Sequence, residues 1–269
     1  NTITTTEKTT LENCAERLRM LKCCVLIPTY NNAQKLEQVV NDVKEYTTIR
    51  LAKDRYLSYL LVVNDGSTDT TKEILEKQPY IMQLSYLRNE GKGIAMRRGF
   101  EYAIEQGFNY AITLDSDGQH YAKDIPTFVD ALMDNKNAIV IGSRNMGQEN
   151  VPTKSSFGNK FSSFWLWVET GIRLADTQSG YRLYPIKAIQ NFSFVTGRYE
   201  FEVEVLARAA WAGIELKCVP IDVYYPPKNE RITHFRPFRD FFRISVLNTF
   251  LCILAFFWFL PRMLFRNLK

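Results

Sequence analysis

Short apolar runs alternate with amphipathic segments through the first half of the chain. Each run is rich in Val, Ile, Leu or Tyr, and the interior runs lack a regular polar alternation. This pattern is typical of parallel strands that are covered on both faces. Predicted strands therefore occupy residues 23–28, 59–65, 82–87, 110–115 and 138–143.

Helical periodicity separates these strands and predicts helices at residues 33–46, 68–78, 93–106 and 123–134. This alternation predicts an α/β fold, with a Rossmann-like, mostly parallel open sheet and helices on both faces. Ligands of such sheets bind outside the carboxyl ends of the strands. The polar residues that follow those ends are found at 28–31, 64–67, 115–119 and 142–144.

The second half of the chain has a different pattern. An aromatic helical segment at 154–171 precedes a turn-rich segment at 176–185, a helical pattern at 198–213 and a strand pattern at 214–225. We see no internal repeat and no low-complexity linker. The expected organisation is an N-terminal extension at 1–21, one large domain at 22–230 and a basic, apolar C-terminal segment at 231–269.

The C-terminal segment combines two patterns. Residues 234–243 alternate arginine with phenylalanine, and residues 244–261 contain no charged side chain. A membrane span needs about 20 apolar residues, and a basic, aromatic approach to an apolar helix suits a membrane surface with anionic lipids. Because both flanks are basic, we expect a shallow or re-entrant membrane-associating helix rather than a span. A buried helix docked on the domain, or an oligomer interface, is the alternative.

Composition narrows the classes of protein. The 269 residues are 46% hydrophobic and 23% charged, which argues against wholesale disorder. Five cysteines without a CxxC pair, and two histidines, disfavour a disulfide scaffold or a zinc site. Cys23 and Cys24 are adjacent in a predicted strand, so they should point to opposite faces. Residues 1–10 lack the apolar core of a signal peptide, and we expect a cytoplasmic domain.

Residues 114–120, LDSDGQH, carry the strongest candidate chemistry. Asp115 and Asp117 point the same way at a strand end, and two like charges this close require a cation or a proton. An EF-hand calcium loop needs glycine sixth and glutamate twelfth, whereas glycine is fourth here and the twelfth residue is Pro126. A phosphatase of the haloacid-dehalogenase type normally carries its Asp-x-Asp on the first strand, not after several others.

The remaining interpretation is a divalent cation, Mg²⁺ or Mn²⁺, that binds a nucleotide diphosphate. Such cations take one or two carboxylates together with phosphate oxygens. They also stabilise charge on a departing diphosphate. An isolated Asp-x-Asp is usually a solvated turn, but the motifs at the neighbouring strand ends favour a metal site here.

Seven motifs follow one another along residues 22–243. They are IPTYNN (27–32), VVNDGSTDTT (62–71), NEGKGIAMRRGFEYA (89–103), LDSDGQH (114–120), GSR (142–144), DTQSGYRLYP (176–185) and CVPIDV (218–223). In this order they resemble glycosyltransferase family 2, whose members have the GT-A fold. Within that family the chain is similar to the polyprenyl-phosphate sugar synthases related to dolichyl-phosphate mannose synthase.

The resemblance implies a nucleotide-sugar pocket at the strand ends. In this pocket Asp65 would accept hydrogen bonds from the base or the ribose. The family usually has glutamate at the position of Asn32 and aspartate at that of Asn64, so the identity of the base stays open. The implied donor contacts are Pro28, Tyr30, Asn31, Asp65, Lys92 and Asp115.

The resemblance also implies a metal site and a catalytic centre. Asp115, Asp117 and Gln119 would hold Mg²⁺ or Mn²⁺, and Asp176 is the family's candidate base. A phosphate acceptor is already anionic, however, so Asp176 could instead orient Arg182 or the acceptor, whereas an alcohol acceptor would require the base. The implied catalytic residues are Asp117, Asp176 and Arg144, and the implied acceptor-phosphate contacts are Arg144, Ser179, Arg182, Lys160 and Ser162.

Three glutamates alternate near the start of the helix predicted at 198–213. In a helix only some of them can face the cleft. We expect Glu200 or Glu204 to pair with a neighbouring arginine, and we assign no catalytic role to this group.

The expected activity is inverting, metal-dependent transfer of a hexose from a donor of the GDP-mannose or UDP-glucose type. The acceptor would be dolichyl or undecaprenyl phosphate at the cytoplasmic face of a membrane. We expect an anionic membrane surface and no nucleic acid as partner, and a homo-oligomer stays open. One alternative is a glycosyltransferase that acts on a saccharide or protein hydroxyl. Another is a non-catalytic, nucleotide-binding membrane regulator.

Overall fold

A seven-stranded sheet organises the computed structural model, which describes residues 5–53, 55–145, 153–226, 236–259 and 261. The strands are β1 (Cys23–Thr29), β2 (Thr48–Arg50), β3 (Tyr56–Ser58), β4 (Leu60–Asn64), β5 (Met82–Ser85), β6 (Tyr110–Thr113), β7 (Ala138–Arg144), β8 (Arg182–Tyr184) and β9 (Glu215–Ile221). β2 and β3 pair in a separate two-stranded sheet. The other seven lie in the order β5-β4-β1-β6-β8-β7-β9.

Neighbouring strands of the large sheet run parallel except at β8, which is antiparallel to both β6 and β7. The predicted mostly parallel sheet is therefore confirmed. The turn-rich segment 176–185 contains β8, whose three residues are too few to give a strand pattern. Because Arg182 pairs with Thr113, the turn before β8 lies at the carboxyl end of β6, beside the acidic motif.

Helices cover both faces of the sheet. They are α1 (Thr5–Leu21), α2 (Ala33–Thr47), α3 (Thr71–Glu76), α4 (Lys92–Glu105), α5 (Ile125–Asp134), α6 (Thr153–Thr170), α7 (Ile186–Ile189), α8 (Phe201–Trp211) and α9 (Pro237–Leu254). Cys23 packs in the core with α1, α2 and α5, whereas Cys24 packs in the core with α4, α8 and α9. The expected opposite orientation of the two cysteines is confirmed.

The N-terminal extension contains a helix that its polar sequence did not predict. In α1, Cys14, Ala15 and Leu18 are buried, and the helix packs on α2 and α5. Their spacing of i, i+1 and i+4 places the three small or apolar side chains within one stripe of the helix, about 100° wide. A narrow apolar stripe is therefore enough to dock α1 on the domain.

The C-terminal helix α9 also packs on the domain. Leu247 and Leu251 are buried where α9 meets α6 and α8, and residues Ala255–Phe259 continue it as a π-helical turn. Among the described residues, one helix, Phe238–Phe257, is long and apolar enough to cross a membrane, with a mean hydropathy of 1.7. A helix docked on a domain can have the same length and composition. The predicted domain boundary between residues 230 and 231 stays a prediction.

Glu169, near the end of α6, is fully buried, and neither of its carboxyl oxygens has a hydrogen-bond partner among the described residues. Burial raises its pKa from 4.5 to about 8. Between these two values the folded protein holds a proton that the unfolded chain releases. The contribution of Glu169 to stability therefore becomes less favourable as the pH rises through this window.

We expect Glu169→Gln to remove this pH dependence, because the amide keeps the shape of the side chain and cannot ionise. The free energy of unfolding, measured by urea denaturation, should fall for the wild type by up to about 1.4 kcal/mol per pH unit through this range. The variant should lose most of that slope. Glu37→Gln, on the exposed side of α2, is the control and should keep the wild-type slope. Equal slopes in wild type and Glu169→Gln would contradict the assignment.

Candidate active site

A cleft of about 550 Å³ opens at the carboxyl ends of β1, β4 and β6. This is the edge at which open α/β sheets bind their ligands. Of the predicted donor contacts, five line the cleft and Asn31 does not. The lining includes Pro28, Thr29, Tyr30, Asn32, Asp65, Asn89, Lys92, Asp115, Asp117, Arg198, Tyr199, Arg236, Arg239, Asp240 and Arg243.

Lys92, the first residue of α4, joins two carboxylates at the floor of the cleft. Its Nζ lies 2.6 Å from Oδ1 of Asp115 and 3.1 Å from Oε1 of Glu202. Gly180 makes this cluster possible, because a Cβ there would lie 2.7 Å from Oδ2 of Asp115 and 2.9 Å from Nζ of Lys92. The cluster therefore connects the end of β6, α4, α8 and the turn before β8.

The same cluster sets the charges of the acidic motif. Burial works against the ionised form of Asp115, but the Lys92 ammonium outweighs it and lowers the pKa of Asp115. For Asp117, burial and the neighbouring charge of Asp115 raise the pKa to about 6. No cation of the described residues forms an ion pair with Asp117 within 4.0 Å. Its negative charge is thus only partly compensated.

These carboxylates fit a divalent cation. Asp115 and Asp117 both line the cleft, and the charge on Asp117 favours a cation beside it. The described parts of the chain hold no cluster of three His, Cys, Asp or Glu side chains for a metal. Further ligands would therefore be phosphate oxygens or water, as Mg²⁺ usually has. Gln119 lies outside the cleft lining, and its backbone N–H donates to Oδ1 of Asp117 at 3.0 Å.

Asp65 fastens the loop that leads into α4. Its carboxylate accepts hydrogen bonds from Nδ2 of Asn89 at 2.9 Å and from the backbone N–H groups of Glu90 at 3.0 Å and Gly91 at 2.8 Å. Burial raises the pKa of Asp65 in spite of these bonds. Asp65 lines the cleft, as its predicted nucleotide contact requires, and it also positions the loop before Lys92.

The loop after β1 has two functions. Asn31 adopts a φ of 47° and accepts a hydrogen bond from the N–H of Thr68 at 2.7 Å, so it joins this loop to the one after β4. Asn32 donates to Oγ of Ser116 at 3.0 Å. Within the described residues, Oδ1 of Asn32 and Oγ1 of Thr29 are buried without hydrogen-bond partners. Both residues line the cleft through other atoms.

Arg144 and Asp176 form a bidentate ion pair at the end of β7. Nε of Arg144 lies 2.6 Å from Oδ2 of Asp176, and Nη2 lies 3.0 Å from Oδ1. Asp176 also accepts hydrogen bonds from the backbone N–H groups of Gln178 and Ser179. Burial opposes ionisation, but the Arg144 guanidinium outweighs it and lowers the pKa of Asp176. A carboxylate with a lowered pKa is a weak base, so this geometry suits the orientation of Arg144.

Arg182 has surroundings that differ from those expected of an acceptor-phosphate contact. The side chain is fully buried, and its guanidinium donates to the backbone carbonyls of Ser179 at 2.6 Å, Thr177 at 2.9 Å and Glu202 at 2.6 Å. These bonds hold the turn before β8 against α8. Ser179 is buried in the same turn. Arg182 therefore shapes the site from inside the protein, because its donors are engaged by the backbone.

The two α6 candidates do not converge on the cleft. Lys160 is exposed and Ser162 is buried. Neither of them lines the cleft, or the second groove in which Arg144 lies with Ser143 and Asn145. Their acceptor-phosphate roles stay predictions.

His120 belongs to the acidic motif, but the motif by itself assigns it no role. Its ring centroid lies 5.1 Å from that of Tyr181. Burial lowers its pKa to about 4, and the charges of both the Lys92–Asp115 pair and the Arg144–Asp176 pair act on it. A neutral imidazole therefore lies within electrostatic range of both ion pairs.

Four arginines line the cleft without having been predicted there. Arg198 precedes α8, and Arg236, Arg239 and Arg243 lie at the start of α9. The arginine–phenylalanine alternation indicated a membrane approach for the last three. Their spacing of i, i+3 and i+7 is the signal that they share one face of a helix.

The three glutamates at the start of α8 have separate partners. Arg208 pairs with Glu204 at 2.7 Å, and Arg243 lies 4.0 Å from Glu200. The predicted pairing of these glutamates with arginine is confirmed. Glu202, which had no assigned partner, belongs to the Lys92 cluster.

The chain matches the family model of glycosyl transferase family 2 over residues 24–192. Because this match covers more than half of the sequence, the chain belongs to glycosyl transferase family 2. It is a glycosyltransferase, and the resemblance carried by its motifs is confirmed.

Relatives and solved structures agree with this family. A UDP-N-acetylglucosamine–dolichyl-phosphate N-acetylglucosaminyltransferase of Methanococcus voltae is 27% identical over 222 residues, which cover 75% of this chain and 85% of that protein. An undecaprenyl-phosphate mannosyltransferase of Micrococcus luteus is 26% identical over 211 residues, with coverages of 75% and 83%. Glucosyl-3-phosphoglycerate synthase from Mycobacterium tuberculosis, solved with Mn²⁺, UDP and phosphoglyceric acid, has a TM-score of 0.63 at 18% identity and coverages of 91% and 82%. The fold is therefore GT-A.

We expect Gly180→Ala to reduce sugar transfer about 100-fold, because the added methyl group would separate Lys92 from Asp115 and misplace the acidic motif. The measurement is kcat/KM for consumption of UDP-glucose or GDP-mannose, with near-UV circular dichroism to check the fold. Gly171→Ala is the control: its φ of 75° adds backbone strain, but a Cβ there meets nothing within 4 Å, so kcat/KM should stay at the wild-type value. If Gly180→Ala kept wild-type activity, the cluster would not position the site.

Proposed function

We propose that the protein transfers a hexose, with inversion, from a nucleotide-diphosphate sugar to a polyprenyl phosphate at the cytoplasmic face of a membrane. The observation that carries this proposal is the partly compensated carboxylate of Asp117 in one cleft with four arginines. A carboxylate can take a cation while arginines take phosphate oxygens, so the cleft suits a metal-bound diphosphate. The names of the two polyprenyl-phosphate relatives support the acceptor.

The donor, of the GDP-mannose or UDP-glucose type, would occupy the cleft with its nucleoside near Pro28, Tyr30 and Asp65. Asp115 and Asp117 would hold Mg²⁺ or Mn²⁺, which neutralises charge on the departing nucleotide diphosphate. Mn²⁺ and UDP in the solved glucosyl-3-phosphoglycerate synthase support this choice. Lys92 keeps Asp115 ionised and in place, so the site is organised before the donor arrives.

An oxygen of the acceptor phosphate would attack the anomeric carbon of the hexose, while the bond from that carbon to the diphosphate oxygen breaks. Attack opposite to the leaving group inverts the anomeric carbon. A phosphate monoester is anionic at neutral pH, so no residue has to remove a proton from it. Arg144, oriented by Asp176, would bind and position this phosphate through its planar guanidinium.

A polyprenyl acceptor carries its phosphate at the level of the lipid headgroups, so the active site must approach the membrane surface. Helix α9 packs on the domain along one side and exposes Phe238, Phe242 and Phe250, and the π-helical turn after it exposes Phe257. A helix with one side on a protein and apolar side chains on another suits the plane of the interface. This arrangement supports peripheral or monotopic attachment.

The central prediction concerns Asp117. With undecaprenyl or dolichyl phosphate, one of UDP-glucose, UDP-N-acetylglucosamine or GDP-mannose should donate its sugar only when Mg²⁺ or Mn²⁺ is present. Asp117→Asn should lower the transfer rate about 1000-fold, which corresponds to several kcal/mol of lost charge stabilisation. Asp134→Asn, on the exposed end of α5, is the matched control. Metal-independent transfer, or an unchanged Asp117→Asn, would refute the metal site.

Asp176→Asn separates orientation of Arg144 from base catalysis. If Asp176 orients Arg144, kcat/KM for the lipid phosphate should fall about 100-fold and the pH–rate profile should keep its shape. Arg144→Gln should lower kcat/KM for the lipid phosphate by a similar factor. The double variant should lower it little further, because both substitutions remove the same Arg144–Asp176 interaction. Two results together would favour the alcohol-acceptor alternative. Asp176→Asn would lose the acid limb of the pH–rate profile, and the wild type would transfer the sugar to a sugar hydroxyl but not to lipid phosphate.

A further inference from the structure

Helix α9 presents different chemistry on different sides. Arg236, Arg239 and Arg243 line the donor cleft. Phe238 and Phe242 alternate with them in sequence and are 94% and 68% exposed. The same two turns of helix therefore form a wall of the cleft and an apolar surface that faces away from the protein.

A small set of contacts holds these turns against the cleft. The ring of Phe241 lies 5.1 Å from that of Phe161 in α6. Within α9, the buried carboxylate of Asp240 accepts a hydrogen bond from the backbone N–H of Arg236 at 2.7 Å and caps the start of the helix. Arg243 approaches Glu200 at 4.0 Å. Most of the phenylalanine surface is left in water. A surface that covers the phenylalanines best when the arginines line the cleft would favour this position of the helix.

The chemistry of this surface fits lipid. The exposed side of α9 continues through Val246, Phe250 and Ile253 to Phe257, which is 81% exposed, and residues 244–261 are uncharged. On the neighbouring helix α6, Trp167 is exposed and lies under the guanidinium of Arg173 at 4.9 Å. Paired Trp and Arg side chains beside an apolar surface suit the headgroup boundary of an anionic membrane.

We propose that α9 couples membrane contact to donor binding: a lipid surface that covers its phenylalanines orders the arginine wall and raises the affinity of the cleft for a nucleotide diphosphate. The inference rests on the donor site proposed above. Ordering the arginines before the ligand arrives removes part of the entropic cost of binding. Thermodynamic linkage requires the reverse effect as well, so the nucleotide must tighten membrane binding by the same factor.

The test measures both affinities in the full chain. UDP and GDP are titrated by calorimetry with Mg²⁺, without vesicles and with vesicles of phosphatidylcholine and phosphatidylglycerol. We expect vesicles to tighten binding of the preferred nucleotide about tenfold. In flotation assays that nucleotide should tighten vesicle binding by the same factor.

Two variants identify the two sides of the helix. The double variant Phe238→Ser/Phe257→Ser should lose vesicle binding and the gain in nucleotide affinity, while its nucleotide affinity without vesicles stays at the wild-type value. Leu87→Ser/Val195→Ser removes two exposed apolar side chains elsewhere and should behave as wild type. Arg239→Gln should keep vesicle binding and lose most of the gain in nucleotide affinity.

Each contrary result has a distinct meaning. If the protein binds vesicles and nucleotide without a mutual effect, the coupling is refuted and the donor site stands. If neither nucleotide binds under any condition, the proposed function itself fails. If Arg239→Gln weakens vesicle binding and leaves nucleotide affinity intact, the arginines contact headgroups and the inference is wrong. A stable dimer in water that does not bind vesicles would show that a second copy covers the surface.

Discussion

The ion-pair cluster of Lys92 with Asp115 and Glu202 is the interaction on which the site depends. Its three side chains come from different elements, so the cluster can form only when the sheet, α4 and α8 are all in place. Gly180 lies so close to Lys92 and Asp115 that a Cβ at this position would clash with both, so the cluster is tightly packed. The Lys92 ammonium keeps Asp115 ionised, and burial together with the charge of Asp115 raises the pKa of Asp117 to about 6. Two carboxylates of the same strand end therefore differ in how far their charge is compensated.

A second ion pair, between Arg144 and Asp176, stands at the end of β7, and His120 lies within electrostatic range of both pairs. In the proposed function the two pairs have different roles: the Lys92 cluster would position the carboxylates that hold the metal ion, and Asp176 would orient Arg144 toward the acceptor phosphate. The lowered pKa of Asp176 suits that orienting function better than proton transfer. Charge positioning, more than acid–base catalysis, is the consistent feature of the site.

The C-terminal helix α9 is part of the cleft as well as the proposed membrane contact. Its arginines complete the cleft while its phenylalanines stay exposed. One helix can carry both the arginines and the exposed phenylalanines, because side chains at i, i+3 and i+7 share one side. In the proposed function this single helix would bring the aqueous donor and the lipid acceptor together.

By itself the sequence determined the strands of the parallel core, the edge of the sheet at which ligands of such folds bind and the carboxylates at that edge. These follow from local burial patterns and from the rule that parallel strands share a carboxyl edge. The tertiary structure alone decided which basic residues face the cleft. Arg144 and Arg182 both lie at strand ends, yet neither lines the cleft. β8 inserts between β6 and β7, and there the guanidinium of Arg182 donates to backbone carbonyls. Contacts of this kind join residues on different elements of the fold, so a local sequence pattern does not predict them.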